Sequence, residues 1–189
     1  YFHPPYVEPH GDCARKCSDL EQWIELHNRG AEEADISGWS LTKAIDFTIP
    51  AGTTIPAGGH LVLCSSRETF LASHPGFDAS LAVGDWSRNL AHDSETINLR
   101  DELENLVDHV RYSDGTPLND EEPMDGIDDR TFLGSDWPSE AQASGRTIEL
   151  VHPELDNRYG PSWTAGPVGG TPGAQNASHD ASPPPVIAV

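Results

Sequence analysis

Three groups of side chains in this sequence have the types and spacing to do chemistry. Cys13 and Cys17 flank Ala14-Arg15-Lys16, His10 stands just upstream, and Cys64 lies far along the chain. Thiolates with an imidazole make zinc ligands, but a C-x3-C pair with one remote cysteine is a poor match to finger spacings. In an oxidising compartment, a bridge between Cys13 and Cys17, or from Cys64 to either of them, is the competing use of the same thiols. The Cys13 to Cys17 ring is small and would stabilise less than a long-range bridge.

The second group is acidic. Asp114, Asp120, Glu121, Glu122, Asp125, Asp128 and Asp129 crowd one stretch. Carboxylate oxygens are the donors calcium prefers, and Gly126 would let the loop bend around an ion bound by Asp120, Glu121, Asp125, Asp128 and Asp129. The register of an EF-hand loop is absent, so a solvated charge run explains the same residues. The third group is Trp86, Trp137 and Trp163, which stand in loop-like sequence. An indole beside a carboxylate can stack on a sugar ring, whereas the plain alternative is a tryptophan that caps the open end of a core.

Catalytic motifs are missing. No H-E-x-x-H, G-x-S-x-G elbow or phosphate-cradling loop occurs, so the serines, histidines and aspartates have no frame that would assemble a triad. No catalytic residue is assigned. The 31 acids outweigh 11 Lys and Arg for a formal charge of -20, which repels phosphate backbones and anionic lipid surfaces. Nucleic acid is therefore excluded as a partner. Nor does any apolar stretch approach the roughly 20 residues that span a bilayer, so membrane insertion is not expected.

These groups need elements to position them, and the sequence spells out strands. Trp23 to Cys64 holds short alternating apolar segments closed by Gly, Pro or Asn. Ile24 with Leu26, Trp39 with Leu41, Phe47 with Ile49, and Leu61 with Leu63 repeat a period of two, which sends Glu25 to water. With 33 Gly and Pro among 189 residues, the composition suits an all-β sandwich with long decorated loops. Ser65 to Ser73 has a hydroxyl start, an acid three residues on and a Phe-Leu pair, and reads as one short helix. Thr96 to Leu99 and Leu106 to Tyr112 form a hairpin around Asp101 to Asn105. In its second strand Asp108 shares a parity with Leu106, Val110 and Tyr112, so it needs either a bulge or an internal hydrogen bond. Arg146 to Val151 is the last expected strand, while Phe77 to Asp93 and His152 to Asn176 read as loops. The chain thus divides into an N-terminal Cys-containing loop and strand remnant (1–22), a sandwich (23–176) and a Pro-rich tail or linker (177–189). The sequon at Asn176 permits glycosylation in a host with that machinery.

Trp23-Ile24-Glu25-Leu26-His27-Asn28, Ser37-Gly38-Trp39-Ser40-Leu41 and the run Ile49 to Gly59 with two Pro-Ala-Gly turns resemble a lamin-tail domain. Ile97-Asn98-Leu99, Val107-Asp108-His109-Val110 and Gly145 to Leu150 follow in the family's order, and Asp156 to Asn176 resembles its bacterial extracellular branch. The resemblance implies an immunoglobulin-like β-sandwich in an extracellular, cell-surface or periplasmic setting. It also implies a non-catalytic structural or protein-interaction module whose partners are other domains or subunits of a larger secreted or surface assembly. A calcium-dependent or glycan-binding module, with calcium as the possible cofactor, and an accessory domain of a secreted hydrolase are the alternatives.

Overall fold

The computed structural model describes residues 19–91, 93–113, 137–141 and 144–182. Its strands run in the order β1 (Trp23–His27), β2 (Ala34–Asp35), β3 (Ser40–Lys43), β4 (Phe47–Thr48), β5 (Thr54–Ile55) and β6 (His60–Cys64), followed by helix α1 (Arg67–Ser73). Then come β7 (Ala82–Gly84), β8 (Ser94–Arg100), β9 (Leu106–Ser113), β10 (Arg146–Leu150) and β11 (Trp163–Val168). One sheet has the order β1-β6-β7 and the facing sheet β4-β3-β8-β9, with β2-β5 and β10-β11 as separate antiparallel pairs. The architecture is an all-β sandwich.

Alternation explains its main core. Ile24, Leu41, Ile49, Leu61, Leu63 and Ile97 are all buried in one cluster between the sheets. The opposite faces of β1 and β6 do not meet water either, because Trp23, Val62 and Cys64 pack with Phe70 of α1 in a second cluster. Helix α1 is placed by its cap, in which Ser66 Oγ accepts from the Thr69 amide at 3.2 Å. It crosses back so that β7 pairs with β6 in parallel, Val62 opposite Ala82. That makes β7 a strand where the sequence reads as a loop, since only the crossover brings Ala82–Gly84 alongside β6.

Two other expectations change. His152 to Asn176 contains β11, whose Leu150 to Trp163 and Ile148 to Ala165 pairings with β10 override its Gly and Pro content. In the β8–β9 hairpin the register slips between Leu99 and Arg100, so Val107 is the extra residue of a bulge. The bulge leaves Leu106 half exposed, and Asp108 is exposed as well. Asp108 keeps its inward parity at the open mouth of the sandwich, where its carboxylate accepts from Asn157 Nδ2 at 2.7 Å.

Leu63 is wholly buried at the centre of the β6 row. Leu63→Ala is expected to lower unfolding stability by about 2–5 kcal/mol, read as a lower urea midpoint with little change in slope.

Candidate functional site

Among the described residues the two sheets do not close along one side. A cleft of about 860 Å³ opens there, with Leu26, Trp39, Leu99, Val110, Leu150 and Trp163 among the apolar residues lining it. Its walls come from β1, β9, β10 and the chain after β11. Several polar groups at its margin were given no role by the sequence: Glu25, His27, His60, His109, Glu149 and His179.

Glu149 anchors one wall. It is 3% exposed, yet its carboxylate accepts four hydrogen bonds. Thr147 Oγ1 and Thr171 Oγ1 donate to Oε1 at 3.2 and 3.1 Å, while the Ser178 amide and hydroxyl donate to Oε2 at 3.1 and 2.9 Å. Every one of these donors is a hydroxyl or a main-chain N–H. Gly166 opposite must lack a side chain, because a Cβ there would run into the Glu149 carboxyl and the Thr147 hydroxyl. The segment 169–180 is thereby drawn across the sandwich as a strap. Asn176 Nδ2 donates to the Leu150 carbonyl at 3.0 Å and the Asp180 amide to Val151 O at 2.9 Å. The sequon nitrogen is thus engaged in the fold, and residues as far as Asp180 pack with the sandwich.

Glu25 lies under the same strap. The sequence sends it to water, but it accepts from the Gly173 amide at 2.6 Å and is largely covered. Burial pushes its carboxyl up from 4.5 to about 7, the Gly173 hydrogen bond opposing the rise and the nearby Glu149 adding to it. The clue was Trp23. It shares a parity with Glu25, and a tryptophan on that face of β1 calls for a cover.

At the other end of β1, His27 and His60 face each other across the ladder with rings stacked at 4.5 Å. Burial lowers the pKa of both, and for His60 the neighbouring His27 lowers it further. Asp156 is held low by the Arg158 guanidinium beside it, with a nitrogen-to-oxygen distance of 2.6 Å.

The residues singled out by chemistry fall elsewhere. Cys64 is a free thiol, fully buried, with Sγ donating to Val83 O at 3.1 Å, and burial pushes its pKa up to about 12. It is a packing residue of the second core and not a bridge half. Cys13 and Cys17 lie outside the described residues, as do Asp120, Glu121, Asp125, Asp128 and Asp129. Trp86 and Trp137 are 6% and 4% exposed, so they cannot offer a ring face to a sugar; they fill the main core instead. Trp137 stacks on Trp163 at 5.9 Å, and Trp163, which lines the cleft, is fixed by its indole N–H to Asn157 O at 2.8 Å. Among the described residues no three His, Cys, Asp or Glu side chains converge as a metal site.

Comparison with known proteins bears on what such a cleft is for. The family model of the lamin tail domain matches residues 7–114, more than half of the chain. The chain belongs to the lamin tail domain family. These are immunoglobulin-like, non-enzymatic domains that act as protein-interaction modules. No match was found among curated proteins. The matched range ends before β10, so the Glu149 anchor and the strap lie beyond it.

Glu149→Ala leaves three hydroxyls and an amide without their acceptor. It is expected to cost about 2–4 kcal/mol and to speed hydrogen exchange at the Ser178 amide, with Glu149→Gln intermediate. For Glu25 the folded state keeps a proton that the unfolded chain releases between pH 4.5 and about 7. Stability contributed by the neutral carboxyl is therefore full below pH 4.5 and falls as pH rises through 7. Glu25→Gln, which keeps an acceptor for Gly173, should match the wild type at pH 4 and exceed it by on the order of 2 kcal/mol at pH 8, measured by denaturation at each pH.

Proposed function

We infer that this lamin tail domain is a non-catalytic structural and protein-interaction module of a larger secreted or cell-surface assembly, which binds neighbouring polypeptides through the cleft between its sheets. The observation that carries the reading is the cleft itself. Among the described residues its apolar floor is left open at an edge of the sandwich, while the rest of the two cores is closed by α1, the strap and the buried tryptophans. Closed cores serve stability, and an open apolar channel with polar margins serves recognition.

The extracellular setting is supported by the formal charge of -20, which keeps a protein soluble in saline surroundings, and by the sequence's likeness to the bacterial extracellular branch. Cross-linking of the intact protein in its native host, followed by peptide mapping, tests the whole reading. Cross-links to other polypeptides and labelling by a membrane-impermeant reagent are expected. A chain that resists that label and cross-links to nothing would overturn it.

A further inference from the structure

We propose that His27 and His60 together bind a divalent ion of the zinc class, as a two-histidine site on the face of the β1–β6 ladder. The site goes beyond the interaction-module reading and does not depend on it.

The backbone sets the two rings side by side. His27 and His60 are direct partners in the antiparallel register. The Ser65 amide donates to Gln22 O at 2.8 Å and the Asn28 amide to Gly59 O at 2.9 Å, so the even-numbered residues of this stretch carry the ladder hydrogen bonds. His27 and His60 therefore form a non-hydrogen-bonded pair, the arrangement that brings facing side chains closest. Their rings stack with centroids 4.5 Å apart and planes 13° apart. An ion bound at roughly 2.0–2.1 Å by two imidazoles holds their nitrogens roughly 3–4 Å apart. A turn about the soft terminal torsions closes that distance without moving the backbone. The ladder end is also tied down. Asn28 Nδ2 donates to Glu32 O at 2.8 Å and Ile55 O at 2.9 Å, and the Gly59 amide donates to Pro56 O at 2.8 Å. Ligands on such an end are held in place before the ion arrives.

The state of the rings suits a metal. Burial lowers the pKa of both, more than offsetting for His27 a hydrogen bond to the Gly58 main chain, while Arg29 lowers His27 further and His27 lowers His60. Both rings are then neutral at pH 7 and keep a lone pair. The Gly58 contact favours the protonated ring, so it is a ring N–H donated to a carbonyl. A histidine that donates one nitrogen to a carbonyl presents the other to a metal. His27 is exposed and His60 partly so, which gives an ion access. Imidazole nitrogens select zinc, copper or nickel over magnesium or calcium, and the chain's charge of -20 favours the approach of a cation.

Neighbouring groups are otherwise engaged. Both ring nitrogens of His74 lie against carbonyls, Phe70 O at 3.0 Å and Gly169 O at 3.1 Å. His152 stacks on His179 at 5.3 Å, but its Nδ1 accepts from the Glu154 amide at 3.2 Å. Glu25, two residues along the same face of β1, accepts from the Gly173 amide at 2.6 Å. Two protein ligands agree with the lack of any three-residue cluster among the described residues, and solvent takes the remaining positions of the ion.

The test uses the full 189-residue chain, and a Cys13→Ser/Cys17→Ser form of it so that thiolates near His10 do not add a second zinc site. One equivalent of Zn²⁺ is expected to shift or broaden the ring resonances of His27 and His60 together in NMR spectra at pH 7.5. Mg²⁺, which carboxylates accept and imidazoles do not, should leave them in place. By isothermal titration, His27→Ala and His60→Ala should each weaken Zn²⁺ binding at least tenfold, and His152→Ala should leave it unchanged. Should an alanine variant fail to fold, the resonances of the unsubstituted rings decide alone. Zn²⁺ that leaves both rings unmoved, an equal response to Mg²⁺, or a response at one ring without the other would overturn the proposal. Zinc binding that disappears in the Cys13→Ser/Cys17→Ser form would assign the ion to the thiolates and overturn it as well.

Discussion

The carboxylate of Glu149 sits in the interior of a chain that already carries twenty excess negative charges, and much of the C-terminal half is arranged around satisfying it. A charged group out of water is tolerated only where its lone pairs are filled. Thr147 from its own strand, then Thr171 and Ser178 from the strap, fill them. The requirement fixes where the strap crosses, why Gly166 has no side chain, and which face of β1 is roofed. Gly170 belongs to the same constraint, since its φ of +71° and its closeness to Thr147 and Trp23 leave no room for a Cβ.

The roof in turn gives β1 two distinct faces. Ile24 and Leu26 face the main core, while Trp23 and Glu25 face α1 and the strap. Covering the second face is what takes Glu25 out of water and raises its carboxyl.

The parts of the fold that could be read from sequence were those governed by local rules. The period of two placed Leu41, Ile49, Leu61 and Leu63 in the core, Ser65 with Glu68 announced α1, which Ser66 caps, and the Asp101 to Asn105 turn set the hairpin. The parts that could not be read depend on what packs against a strand from a distance. Glu25 follows the alternation rule yet is covered by residues nearly 150 positions later. β7 and β11 lack strong alternation and become strands because β6 and β10 present an edge to them. Leu106 leaves the core because Val107 is inserted ahead of Asp108, a slip with no signal in residue type. Trp86 and Trp137 looked like loop residues available to a ligand and are core residues, because the loops that carry them fold inward.

By itself the sequence determined the sandwich and its family: strand periodicity and turn residues are local properties that need no neighbours in space. Tertiary structure alone decided the cleft and the roles of Glu25 and Glu149. Each of those arises where segments far apart in the chain either meet or fail to meet, and hydrogen bonds and burial are settled only at such contacts.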